Sequence, residues 1–228
     1  MSKYNLLALP VVDDEEHILG IITVDDIVDV IHEEATEDIY RMAGTSEREG
    51  EEDSTVFNAY RARMPWLLIT ILGELGSGSV LSASEVKLQT VAALSIFIPL
   101  LTGLAGNVGT QSSTVTVRGI ATGTITSKTA IRTIAKEVIV GLILGLTIGL
   151  LVMGIATFWK DNFQIGLVVG ITLFINNFTA ALMGTVVPLI FMLVKKDPAV
   201  ASAPFITMVV DILGLVNYML VATVILGL

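Results

Sequence analysis

Five apolar stretches, each long enough to cross a lipid bilayer, limit the fold of this 228-residue chain more than any other feature. A helix needs about 20 mostly apolar residues to span the hydrocarbon core. Backbone in that core has no water to bond to, so an apolar run of this length is a helix. The stretches fall at roughly 65–81, 86–117, 131–159, 163–194 and 199–226. The sequence therefore predicts an all-α integral membrane protein with five transmembrane helices. The first stretch opens on Met64-Pro65-Trp66, with proline suited to a first helical turn and tryptophan to the membrane interface. The second is long and interrupted by Pro99, Gly103, Gly106 and Gly109.

Charge divides the chain into two regions with different solvents. Residues 1–53 hold 16 of the 22 acidic groups and only Lys3, Arg41 and Arg48 as bases, a net charge of about −13. The other six acids and ten bases lie in residues 54–228. Basic residues in short loops mark the cytoplasmic side. With the N-terminus inside, the inner flanks hold Arg61, Arg63, Arg118, Lys128, Arg132, Lys136, Lys195 and Lys196, against Lys87 and Lys160 outside. Eight against two predicts a cytoplasmic N-terminus and an extracytoplasmic C-terminus. Met1–Asp14 has no basic start leading into an apolar run, so no cleavable signal is expected there. The absence of cysteine excludes disulfides and thiolate metal sites.

The N-terminal segment reads as a strand over 6–12, a polar turn over 13–17 and a second β-branched run over 18–24. A helix follows, capped by Thr23 or Asp25, running to about Met42 and stopping before Gly44. Asp26, Asp29, Glu33 and Glu37 are spaced by three, four and four residues, which places them within an arc of roughly 80°. Asp25, Glu34 and Asp38 flank them. Like charges at these spacings repel. They suit either a solvated acidic face or a face for hard divalent cations, which take carboxylate oxygens.

Ionisable groups inside a membrane are costly and are functional candidates by default. Asp211 stands near the middle of the fifth stretch, with no lysine or arginine at mid-membrane to neutralise it. Glu74 reads as lying near the outer end of the first helix, within reach of the interface. Glu137, after Lys136, reads as interfacial or locally paired. The run "LTGLAGNVGTQSSTVTVRG" puts Asn107, Thr110, Gln111, Ser112, Ser113 and Thr114 on one helix. A helix this polar faces water or protein, and its glycines allow either a kink or close approach of a neighbour. Asn176, Asn177 and Asn217 are expected to form interhelical hydrogen bonds. Gly141, Gly145 and Gly149 form a small-residue stripe, for packing within a subunit or between subunits.

The run "LPVVDDEEHILGIITVDDIVDVI" resembles the closing third of a CBS domain. Two strands and a helix cannot bury a core alone, so the reading is of a chain lacking N-terminal sequence that its relatives carry. After it come "EATEDIYRMAG", "R.PWL", "GNVGTQSSTVTVRGIATG", "KEVIVGLILGL" and "DPAVASAPF…D..G". In this order the blocks resemble the MgtE family of magnesium channels, over nearly the whole chain. The resemblance implies a CBS remnant over 1–28, an acidic connecting "plug" helix and linker over 29–63, and a five-helix pore domain over 64–228. It implies a homodimer in the plasma membrane, with one shared pore lined by the second and fifth helices.

On that resemblance the pore metal residues are Asp211 and Asn107, with Gly106, Gln111, Ala203 and Thr207 as pore-lining candidates. Some relatives have asparagine where Ala203 stands. The cytosolic regulatory carboxylates are Asp26, Asp29, Glu34, Glu37 and Asp38. Mg²⁺ is both the transported and the regulatory ion. Influx gated by cytosolic Mg²⁺ is the full-length family design, but most of the family's sensing region is absent here. No enzyme activity and no nucleic-acid partner are expected. Two alternatives stand beside the channel: a proton- or sodium-coupled divalent-cation exchanger, and a non-transporting membrane sensor built on the CBS segment.

Overall fold

The computed structural model describes residues 1, 4–46, 55–84 and 92–227. Two strands, β1 (Ala8–Val12) and β2 (Ile18–Thr23), lead into helix α1 (Val24–Met42). Five long helices follow: α2 (Val56–Ala83), α3 (Ile98–Ala121), α4 (Ala130–Lys160), α5 (Phe163–Leu193) and α6 (Ala203–Leu226). A 3₁₀ segment, Ala92–Phe97, precedes α3, and another, Pro198–Val200, precedes α6. The five long helices are each long and apolar enough to cross a membrane. The first residues of the second predicted stretch, 86–91, and Lys87 in the loop before it lie outside the described residues.

The strands pair antiparallel from Ala8↔Thr23 to Val12↔Ile18, with an irregularity between Val11 and Val12. Their turn is held by Asp13, whose carboxylate accepts from the backbone N–H groups of Glu15 (2.9 Å) and His17 (2.8 Å). Those bonds, the one from His17 foremost, hold the Asp13 carboxyl below the usual range. Thr23 is the N-cap of α1. Its backbone N–H and its hydroxyl both donate to the Asp26 carboxylate, at 2.7 and 2.5 Å. The hairpin is exposed on both faces and no residue of α1 is buried, as expected for two strands and one helix.

Within the membrane region α5 is the central helix, packed against α4, α3 and α6. Small residues let α4 approach it closely. A Cβ built on Gly149 would lie 2.7 Å from the Gly170 carbonyl oxygen, and one on Gly145 would lie 2.8 Å from that of Phe174. The Gly141–Gly145–Gly149 stripe therefore packs within the chain, the first of the two roles its spacing allows. Helix α3 continues unbroken through Gly103, Gly106 and Gly109. The last two serve close approach instead of a kink: Gly106 meets Thr207, and Gly109 meets Ile206 and Val210. Helix α2 packs chiefly on α6.

Candidate ion-conduction groove

Asp211 lies at mid-length on α6 and is 8% exposed, with its Oδ1 lacking any hydrogen-bond partner. It opens into a groove of about 300 Å³ lined by Pro99, Thr102, Gly103, Gly106, Asn107, Thr207 and Asp211. The close contact of Gly106 with Thr207 seats the two walls, α3 and α6, against each other. A buried polar atom without a partner is costly, and a carboxylate oxygen is a hard ligand for a hard cation or its water shell. Asp211, Asn107, Gly106 and Thr207 are thus brought together. Gln111 and Ala203 are not among the walls. Gln111 is exposed one turn further along α3, and Ala203 is half-buried as the first residue of α6.

Gly103, Asn107, Gln111, Thr114 and Arg118 fall within an arc of about 80° on α3, and each is exposed. A polar stripe of this length runs from the groove toward the C-terminal end of the helix. The back of α3 is buried in the bundle. Its Ser113 hydroxyl donates to the Ala201 carbonyl at 3.2 Å, which fixes α3 to the turn that starts α6.

The other intramembrane polar groups sort by depth. Asn217 donates to Asn176 at 3.1 Å, and Asn176 donates to the Gly214 carbonyl at 3.3 Å. These are the interhelical bonds expected of them, formed one turn from Asp211. Asn177 instead donates within α5, to Leu173. Glu137 is paired, the second of its two readings: it is 6% exposed and accepts a 3.0 Å hydrogen bond from the Ser112 hydroxyl. That bond joins α4 to α3. Glu74 stands nine residues before the end of α2. Its neighbours Gly73 and Gly76 pack on Met208 and Ile212, which bracket Asp211.

The acidic helix α1 approaches the end of the bundle that carries the loop between α5 and α6. Arg41 bonds to Asp197 and to Glu37, tying its C-terminal turn to the loop between α5 and α6. Asp197 also accepts from the Ala199 backbone at 2.8 Å, which shapes the turn before α6. A cavity of about 600 Å³ lies between α1, the C-terminal end of α3 and this loop. Its walls include Glu34, Asp38, Asp197 and Arg118. Burial first, then repulsion from Asp197 and Glu34, pushes the Asp38 carboxyl above the usual carboxylate range. Asp26 does not join this group. Hydrogen bonds from Thr23, the hydroxyl's foremost, occupy its carboxylate and hold it below the usual range. Asp29 does not line the cavity, and Glu37 is engaged by Arg41. Among the described residues, no three acidic or histidine side chains converge as a metal cluster. Sequence reasoning missed Asp197 and Arg41. The "DPA" turn was visible, but a partner 156 residues away was not.

Five helices long and apolar enough to cross a membrane, with a partnerless carboxylate opening into a groove between two of them, define a polytopic membrane protein. Comparison with known proteins gives the family. The sequence model of MgtE, a divalent cation transporter family, matches residues 98–221, and that of the CBS domain matches residues 1–33. The chain belongs to the MgtE family. It is 37% identical over 223 residues, 98% of its length, to the magnesium transporter MgtE of Bacillus subtilis. It is equally similar to that of Enterococcus faecalis, and 36% identical over 227 residues to that of Thermus thermophilus. It spans about half the length of these relatives, 49% of the first two and 50% of the third.

Proposed function

We propose that two copies of this chain form a magnesium-selective channel that admits Mg²⁺ across the plasma membrane, with the N-terminus in the cytoplasm. The observation that carries this reading is the Asp211 carboxylate, buried, without a hydrogen-bond partner and facing Asn107 across an open groove. Magnesium gives up its water reluctantly and prefers octahedral oxygen coordination. A pair of Asp211 carboxylates across the dimer axis holds the hydrated ion electrostatically, while Asn107 and backbone carbonyls bond its water shell. Carboxylates at a constriction also concentrate cations there. An inside-negative potential drives influx, at about 2.3 kcal/mol per charge per 100 mV. No covalent step is needed.

Internal Mg²⁺ is the regulator in this reading. The cavity lined by Glu34, Asp38 and Asp197 supports it, since a divalent cation there relieves repulsion and draws α1 onto the inner mouth. Glu137, a second buried intramembrane acid, favours a coupled divalent-cation exchanger as the rival reading. The test is Mg²⁺ influx into liposomes holding the purified chain, with internal Mg²⁺, pH and Na⁺ varied in turn. A channel gives flux that follows the Mg²⁺ gradient and voltage alone, and Asp211→Ala abolishes it while the protein still assembles. Flux that needs a proton or sodium gradient selects the exchanger. Persisting flux in Asp211→Ala removes Asp211 from the path.

A further inference from the structure

The groove at Asp211 has walls from α3 and α6, and α2 packs on the α6 wall. Helices α2 and α6 run in the same direction, with Gly73 against Met208 and Gly76 against Ile212. On α6, Met208 and Ile212 face α2, while Thr207 and Asp211 stand about 100° to one side of them. On α2, Glu74 follows Gly73 by one residue and so stands about 100° round from the face that meets α6. Both helices are right-handed and parallel and they face each other. The turn from Gly73 to Glu74 therefore carries Glu74 to the same side as Thr207 and Asp211. Glu74 is exposed in the single chain.

A second observation falls on the same flank. Ser77, about 40° round from Gly73 toward Glu74, is 5% exposed, and its hydroxyl has no hydrogen-bond partner. Four buried side-chain polar atoms are orphaned among the described residues, and two of them, Ser77 Oγ and Asp211 Oδ1, sit on these facing helices at one depth. Two carboxylates on one flank of a helix pair in an apolar medium are costly. A cation between them relieves that cost, and a carboxylate facing lipid would not place itself beside another.

We propose that α2 supplies a third wall of the conduction groove, with Glu74 and Asp211 acting as a carboxylate pair for a hydrated divalent cation and the Ser77 hydroxyl bonding its water shell. The inference rests on the transport reading above and adds a specificity-determining residue to it. Each subunit then brings two negative charges to the path, which favours a divalent over a monovalent ion.

The experiment measures Mg²⁺ influx against external Mg²⁺ concentration, and Na⁺ leak in the same liposomes, for the full chain and for Glu74→Gln and Glu74→Asp. Glu74→Gln is expected to raise the half-saturating Mg²⁺ concentration by about fivefold, the scale of one lost charge contact near water, and to increase Na⁺ leak. Glu74→Asp restores both. Saturation and ion preference in Glu74→Gln that match the unmodified chain would overturn the proposal while leaving the transport reading intact. An unmodified chain with no Mg²⁺ flux would overturn that reading itself. If Glu74→Gln fails to assemble, Ser77→Ala decides: a rise of half-saturation in the same direction supports the third wall, and no change overturns it.

Discussion

Gly149 and Gly154 stand on the same helix, five residues apart, and differ entirely in what a methyl group would meet. At Gly149 it would lie 2.7 Å from the Gly170 carbonyl oxygen, whereas at Gly154 nothing lies within 4 Å. Overpacking a tight contact costs about 1–3 kcal/mol. Gly149→Ala should therefore lower the thermal midpoint of the detergent-solubilised protein, and Gly154→Ala should leave it unchanged or raise it slightly. Equal midpoints for the two variants would mean that α4 and α5 are not in close contact. The stripe itself was legible, because its spacing of four puts three glycines on one face, but spacing alone left open whether the facing helix belongs to the same chain. Asp211 and Asn107 were legible for a different reason: a carboxylate and an amide in apolar surroundings stand out by composition. The surroundings of Glu74 and Glu137 were not legible, because the neighbouring helix sets them. Gly73 packing on Met208 and Ser112 bonding to Glu137 are contacts that position along the chain does not encode.

Helix α1 carries most of the chain's unbalanced charge and touches the bundle only at its C-terminal turns. There Arg41 bonds to Asp197, while Asp38 suffers repulsion from Asp197 and Glu34. The Asp38 carboxyl is raised above its ordinary value of 3.8, with burial as the first cause. The docked helix thus binds more protons than the undocked one across the window between the ordinary and the raised value. By linkage, docking is strongest below that window and weakens as pH rises through it. Asp38→Asn removes the charge and should tighten docking at neutral pH by a few tenths of a kcal/mol, the scale of an exposed like-charge pair. Amide hydrogen exchange in the last two turns of α1 measures this, once corrected for intrinsic rates. Slower exchange in the variant at pH 7, and no difference below the window, is the expected pattern. Faster exchange at pH 7 would mean that the carboxylate makes a favourable contact. The cap of this helix was readable in sequence, with Thr23 foreseen as one of two capping residues. Its partner on the bundle was not, since Arg41 and Asp197 are joined only by the fold.

At the scale of the whole molecule, a single chain leaves a polar stripe of α3 uncovered. Gly103, Asn107, Gln111, Thr114 and Arg118 are exposed along one side of a helix that is otherwise buried in the bundle. Hydrocarbon does not solvate such a stripe, so it faces water or protein. In the proposed dimer a second copy related by a two-fold axis covers it with the same stripe, and each residue then stands near its own counterpart. The absence of cysteine makes the arrangement directly testable. A chain carrying only Thr114→Cys, oxidised in native membranes, should run as a disulfide-linked dimer. A chain carrying only Ile143→Cys, exposed on α4 away from the groove, should remain a monomer under the same treatment. A disulfide requires the two Cα atoms to approach within about 7 Å, so the pair of results distinguishes a shared axis along α3 from random collision in the bilayer. Cross-linking through α4 and not through α3 would move the axis to the other side of the bundle and take Asp211 out of any path shared by two copies.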